Sequence, residues 1–448
     1  MEASRQMSRC LAGLTAFLTL AAMALTPARA LPSFAVQTGQ ACGTCHVGGL
    51  GPQLTPFGRN FKLRGYTARA VDFNVPLTAF AITSYVRTQK DQAVPPAPGT
   101  GVNNNFAIDQ ISLFLAGGWG HHWGAFVQST YDGVSKTFHW DNLDLRAVTT
   151  AKVGRNDVVL GVSMNNNPTV QDGFNTLYAW GFPYTGSSLA PRPSAGPFIA
   201  SLPQESLGLT VYAWINSQLY AEIGGYRTPS SGFLRRAGSN PVAPGRISGV
   251  APYARLAYQK TFGDSNLAVG AFAMDARIFP GRDQTTGFSD HYTDLGLDAA
   301  YQHTNANRDI ISVNARYTLE RQSLEASQVL GLVRRADGRL KDARIDASYY
   351  WRNKIGATAQ VFQTWGTGDD LLFGADRNFK PDTSGLLLQL DATPFGDAGS
   401  PLGPRFNLRV GVQYTAYVKF NGAGRNYDGL GRNAGDNNTL RVFTWIYY

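Results

Sequence analysis

Cys42, Cys45 and His46 stand in the order C-x-x-C-H within "ACGTCHVGG". Three chemistries use that spacing: covalent attachment of a c-type haem, half of a zinc site, or a thioredoxin-like dithiol. The chain holds three cysteines, and Cys10 lies in the apolar run "MSRCLAGLTAFLTLAAMAL". That run follows Arg5 and Arg9 and ends at "TPARA", with Ala28 and Ala30 in the small positions of an A-x-A site, the pattern of a secretory signal over residues 1–30. The mature chain then keeps only Cys42 and Cys45. A four-cysteine zinc knuckle is excluded, and no second histidine follows at the spacing a Cys2His2 site needs. A redox dithiol opens a helix inside a βαβ unit, whereas "VGGLGPQL" after His46 reads as loop. A simple disulfide leaves His46 without a role. Haem c remains: two thiols form thioethers to its vinyl groups, and the adjacent imidazole is the axial ligand of its iron.

Other residues qualify as partners of such a group. Arg59, Lys62 and Arg64 follow the motif; they pair with haem propionates by charge-assisted hydrogen bonds, or they form a solvated patch or lumen lining. The sixth iron ligand is open. Between Leu31 and Pro76 there is no methionine, and no histidine besides His46. Met164 shares parity with Val158, Leu160 and Val162, and Met274 with Phe272 and Ile278, which makes both poor ligands. His121 and His122 fall in a tight turn, and His139, His291 and His303 share parity with apolar neighbours.

Removal of the signal reduces the formal charge of +9 to about +7. No lysine-rich run points to nucleic acid. Glycine (49 residues) and aromatics (12%) are abundant while charged residues are few (16%), the balance of an exported all-β protein.

The elements that must position the motif are strands. In "DIISVNARYTLE", Ile311, Val313, Ala315, Tyr317 and Leu319 share one face, with Ser312, Asn314, Arg316, Thr318 and Glu320 on the other. "DARIDASYYWR" and "RFNLRVGVQYTAY" alternate likewise. Segments of about 10 to 15 residues exceed the usual strand and are long enough to cross a bilayer when tilted. Tight turns near Gly120, Gly154–Asp157, Asn216–Gln218, Gly263–Asp264, Asn305–Arg308 and Arg352–Lys354 alternate with long polar loops such as 166–204 and 421–437. The spacing predicts a mainly-β fold: a transmembrane antiparallel β-barrel of about 16 strands over residues 76–448, with both ends on the periplasmic side. The chain ends "TLRVFTWIYY", with Leu440, Val442, Ile446 and Tyr448 on the outward face. A secreted sandwich or propeller also alternates, but no blade-length repeat is visible.

Residues 31–75 are too short to enclose a haem alone. The expected arrangement is a small N-terminal c-type cytochrome plug in the barrel's periplasmic mouth.

"PSFAVQTGQACGTCHVGGLGPQLTPFGRNFKLRGY" (32–66) and "MNNNPTVQDGFNTLYAWGFPY" (164–184) resemble the fused monohaem cytochrome–porin family of the outer membrane, best known for iron oxidases. The resemblance runs over nearly the whole mature chain. It implies one covalent haem c on Cys42, Cys45 and His46, residence in the bacterial outer membrane among its lipids, Fe(II) as extracellular donor, and periplasmic c-type cytochromes as acceptors. Asp290, Asp294 and Asp298, inward on one strand, either guide cations or pair with lumen arginines such as Arg316 and Arg344. Two rival functions are a conduit for another donor or the opposite direction, and a porin with a haem sensor or gate.

Overall fold

The computed structural model describes residues 32–71, 75–396, 400 and 406–448. The expected signal, residues 1–30, lies outside the described residues.

The wall is one closed antiparallel sheet. Its strands are β1 Leu77–Thr88, β2 Asn105–Trp119, β3 Trp123–Asp132, β4 Thr137–Val153, β5 Asn156–Asn165 and β6 Leu207–Ile215. They continue with β7 Leu219–Arg227, β8 Arg246–Ile247, β9 Ala251–Phe262, β10 Ser265–Phe279, β11 Asp290–Thr304 and β12 Ile310–Ser323. The last are β13 Asp337–Trp351, β14 Ile355–Gly366, β15 Thr383–Ala392, β16 Asn407–Lys419 and β17 Thr439–Tyr447. The two-residue β8 and β9 both pair with β10 and form one crossing, so the barrel has the sixteen strands that the sequence predicts. It closes where β1 pairs with β17, from Phe80 opposite Tyr447 to Thr88 opposite Thr439.

Alternation sorts side chains in the reverse sense of a soluble protein. On β12, Ile311, Val313 and Tyr317 are exposed on the outer face while Ser312, Thr318 and Glu320 are buried inside. On β17, Val442, Ile446 and Tyr448 face out, as predicted, and Arg441, Phe443, Trp445 and Tyr447 face in. An apolar exterior around a polar interior is the signature of a barrel built for a bilayer, where only a closed ladder satisfies every backbone group.

The predicted tight turns gather at one end. Both barrel termini lie there too, since Ala79 exchanges backbone hydrogen bonds with Tyr448. The long loops gather at the other.

Two segments fill the lumen. At the short-turn mouth lie three helices, α1 Pro32–Thr38, α2 Cys42–Cys45 and α3 Pro56–Leu63. From the long-loop end, residues 166–206 fold inward, with Asn166, Val170, Leu177, Leu189 and Ile199 all buried. Asp172 in that loop pairs with Arg255 of the wall at 3.1 Å. Buried ion pairs on the wall, Arg146 with Asp144 and Arg409 with Asp391, each at 2.8 Å, reach in to hold both segments: Arg146 donates to the carbonyls of Lys62 and Gln171, and Arg409 to that of Leu50.

Candidate functional site

The C-x-x-C-H motif is held by a closed local loop. Cys42–Cys45 make a single helical turn, the amide of His46 donates to the carbonyl of Cys42, and the chain then reverses so that His46 bridges Leu54. The amide of Val47 donates to Gln53, that of Thr55 to Cys45, and the Thr55 hydroxyl to Thr44. The same Thr55 side chain accepts from Gly58 as the N-cap of α3, and Pro56 opens the helix where its missing N–H costs nothing. The segment "TPFGRNFK" is thus both a helix start and the lid of the C-x-x-C-H loop.

The wall fixes this unit from several sides. The amide of Gly43 donates to Gly396, Arg409 donates to the Leu50 carbonyl at 2.7 Å, and Gln302 to the Leu54 carbonyl at 2.9 Å. The hydroxyl of Tyr212 donates to the Leu63 carbonyl, and that of Tyr66 to Asp144 at 2.7 Å.

Cys45 and His46 line a cavity of about 290 Å3 inside the barrel. Its walls are aromatic: Phe80, Phe114, Phe126 and Trp445 from the strands, Phe61 from α3, and Trp180 from the inward loop. Successive rings touch edge to face or tilted, with centroids 5.6 Å apart for Phe80 and Trp445, 5.0 Å for Phe80 and Phe114, and 5.8 Å for Phe126 and Trp180. Gln110, Gln128, Asn142 and Asn175 add a polar edge. The volume is at the lower end of small-molecule sites, which begin at roughly 300 Å3. A larger concavity of about 1310 Å3 runs over the outer wall, lined by Leu160, Val162, Leu256 and Leu297, and belongs to the apolar belt.

The residues fit the group that the motif calls for. Burial pushes His46 down to about 4, so the imidazole is neutral at neutral pH, the form that ligates a metal. Its Nδ1 is buried without a hydrogen-bond partner, beside the backbone of Gly51 and Gln53. Both cysteines are buried, and burial, with Cys42 beside it, pushes Cys45 up to about 12. Cys42 lies behind the cavity, where Asn407 donates to its sulfur at 3.2 Å.

The three basic candidates separate. Lys62 lines the cavity, with its ammonium 4.8 Å from the Trp180 ring and donating to the Val170 carbonyl and Asn175. It has no carboxylate within 4 Å among the described residues, and burial lowers it to about 7. Arg59 donates instead to Gln259 and Asn266 on the wall, and Arg64 to Asn60. His122 donates from Nδ1 to the Val148 carbonyl, His291 meets Asp275, and His303 meets Ser265, all outside the cavity lining. Met164 is on the outer face, while Met274 packs inside with Phe272 and Ile278.

Asp290, Asp294 and Asp298 do face inward, but each is engaged. Asp290 accepts from Ser327, Asp294 from the amide of Ile199, and Asp298 from Arg255. Arg316 and Arg344 pair with Asp342. These carboxylates hold loops and arginines in place.

The cavity's aromatic wall and its ceiling in the 166–206 loop were not foreseen from sequence. A signal exists: β17 reads "TLRVFTWIYY", apolar on both faces near its end, where a water-lined pore strand would be polar inside.

No known protein-family profile matches the chain, and no curated protein matches its sequence. Among solved structures the barrel is similar to OprB of Pseudomonas putida at high pH, at 13% identity, covering 83% of this chain and 93% of that one with a TM-score of 0.50. OmpF of Salmonella typhi in complex with daunomycin is 13% identical over 84% of this chain and 98% of that one, with a TM-score of 0.47. The anion-selective porin of Comamonas acidovorans is 11% identical over 83% and 98%, at 0.45. The shared feature is the porin-like barrel wall.

Proposed function

We propose that the protein resides in the bacterial outer membrane and carries electrons through one covalent haem c, from extracellular Fe(II) toward periplasmic c-type cytochromes. The observation that carries this reading is the placement of Cys45 and His46 on an aromatic cavity within the mouth of a membrane barrel. Covalent attachment falls to Cys42 and Cys45, and axial ligation to His46. A haem bound there supplies a one-electron change at its iron, with a potential set by ligands, burial and neighbouring charge.

The chain's own residues do the rest. Phe80, Phe114, Phe126, Trp180 and Trp445 cover an apolar group and exclude water. Lys62, whose amine lines the cavity and donates to Asn175 and the Val170 carbonyl, would hold a carboxylate of the bound group. The helices set the site at the short-turn end, which the reading places in the periplasm. Fe(II) enters as donor from the resemblance to cytochrome–porin iron oxidases, and the wall needs no substrate-shaped pocket for outer-sphere transfer.

The second reading, a diffusion porin with a haem sensor or gate, draws on the likeness of the wall to solved porins. The N-terminal helices and the buried 166–206 loop inside the lumen weigh against it.

The test uses protein expressed with c-type maturation and reconstituted in vesicles, with ferrous iron outside and an oxidised cytochrome trapped inside. Reduction of the haem followed by the trapped acceptor supports the proposal. A haem that dithionite reduces and ferrous iron does not would remove iron from it. Solute uptake that follows haem redox state, without electron transfer, favours the gate.

A further inference from the structure

The outer wall carries an unbalanced arc of cations at the long-loop end. Along β12 the outward positions run Ile311, Val313, Tyr317 and Leu319, and the next is Arg321. Along β13 they run from Trp351, Tyr349 and Ile345 to Lys341 and Arg339. The register sets Arg321 directly opposite Arg339, and Leu319 opposite Lys341. Two strands from β12, across β11, Arg277 of β10 faces outward opposite His291. Arg227 at the end of β7 and Arg246 of β8 extend the arc.

Like charges directly opposite on a sheet repel. Among the described residues no carboxylate lies within 4 Å of Arg277, Arg321, Arg339 or Lys341. The nearby exposed acids are Asp275, engaged by His291 and Thr293, Asp337 at the strand end, and Glu325 in the helical turn that follows β12. The other side of the same rim presents Phe106, Phe138, Leu209 and Val418 on its strands, with Arg87 as a strand cation and Lys90, Lys136 and Arg425 exposed in its loops and turns.

Depth identifies the partner. Arg321, Arg339 and Lys341 come immediately after the apolar belt, beside the aromatic pair Tyr317 and Trp365, whose centroids are 6.3 Å apart. Lys341 sits 5.8 Å from the Trp365 ring. Aromatic girdles mark the level at which hydrocarbon gives way to headgroups. A guanidinium pair there faces headgroups sideways, and its fork geometry matches phosphate oxygens.

We propose that Arg277, Arg321, Arg339 and Lys341 form a binding surface for phosphate-bearing lipid headgroups of the leaflet at the long-loop end. The bound phosphate neutralises the Arg321–Arg339 repulsion and seats the barrel at a fixed depth and rotation. The inference rests on the apolar belt lying in a bilayer. It does not involve the haem, so its failure and that of the electron-transfer reading are separable.

The test compares full-length protein with the R321Q/R339Q/K341Q variant in phosphatidylcholine nanodiscs doped with bisphosphorylated lipid A. Native mass spectrometry counts the lipid A retained after release. The wild type should retain at least about fivefold more than the triple variant, and Arg334→Gln, whose partner is Asp370, should match the wild type. Lipid A stripped of its phosphates should lose the difference. Excess inorganic phosphate in solution should leave it in place if the ligand is the lipid. Equal retention by wild type and variant, or undiminished retention of the stripped lipid, overturns the proposal. Should the triple variant fail to fold, Arg321→Gln alone decides through a reversal of sign. It should raise the melting temperature in phosphate-free detergent, by removing repulsion, and lower it relative to wild type once lipid A is added. A shift in the same direction under both conditions overturns the proposal.

Discussion

The side-chain amide of Asn353 donates to the carbonyl of His46 at 3.0 Å, while its carbonyl oxygen accepts from the amide of Gly48 at 2.5 Å. Asn353 belongs to the tight turn between β13 and β14, so a wall hairpin fixes the loop that carries His46. The same side-chain amide donates to the Gly43 carbonyl at 3.2 Å, so replacing Asn353 by Ala leaves three backbone groups of the loop without this partner, at a cost of about 1–3 kcal/mol to docking of the loop. Hydrogen exchange at Gly43–Gly48 should accelerate while the barrel amides of β13 stay protected. Unchanged exchange at Gly48 would show that the turn does not hold the loop.

Gly58 lies against the carbonyl of Cys45, and a Cβ there would overlap that oxygen. The contact is backbone to backbone and has no flexible side chain to yield. Gly58→Ala should therefore push α3 off the haem-motif loop. Covalent haem per folded barrel, read from a haem stain beside a heat-shift gel, should fall severalfold, and Gly232→Ala, whose Cβ would meet open space, should have no effect.

Much of this was legible before the fold was known, for a physical reason. Membrane strands alternate strictly because lipid and lumen differ so sharply, and Ile311 to Leu319 declare their side without reference to any partner. The C-x-x-C-H spacing is equally local, whereas the helix capped by Thr55 was not read from the sequence. What stayed hidden depends on contacts between distant segments. Nothing near residue 180 announces that Trp180 will meet Phe126 or that Lys62 will sit on its ring. The acids of β11 were visible as an inward series, yet their partners come from loops and strands far away in sequence, such as Ile199, Ser327 and Arg255.

Lys62 makes the haem-free protein sensitive to alkaline pH. Burial lowers it from 10.5 to about 7, so between those values the unfolded chain holds a proton that the folded one lacks. Stability then rises with pH across that window, because the unfolded state binds more protons. The denaturant midpoint of haem-free protein should climb from pH 7 toward pH 10, and Lys62→Met should flatten the climb. A slope that persists in Lys62→Met assigns it to another group.

Closure of the lumen depends on the contacts that tie the 166–206 loop to the wall. Arg255 pairs with Asp172 of the loop and with Asp298 of β11, all of them buried, while Glu320 accepts from the amide of Phe198. A full lumen predicts that wild-type protein in planar bilayers lacks the large, steady steps of an open pore. Arg255→Ala strands two buried carboxylates, and breaking a buried pair in this way costs about 3–5 kcal/mol. That loss falls on loop docking, since the ladder hydrogen bonds of β9 are untouched. Arg255→Ala should therefore show intermittent openings, and Asp172→Asn, which keeps the shape and removes one charge, fewer of them. Conductance in the wild type equal to that of Arg255→Ala would mean that ions already pass around the loop, and would move the balance toward a diffusion channel.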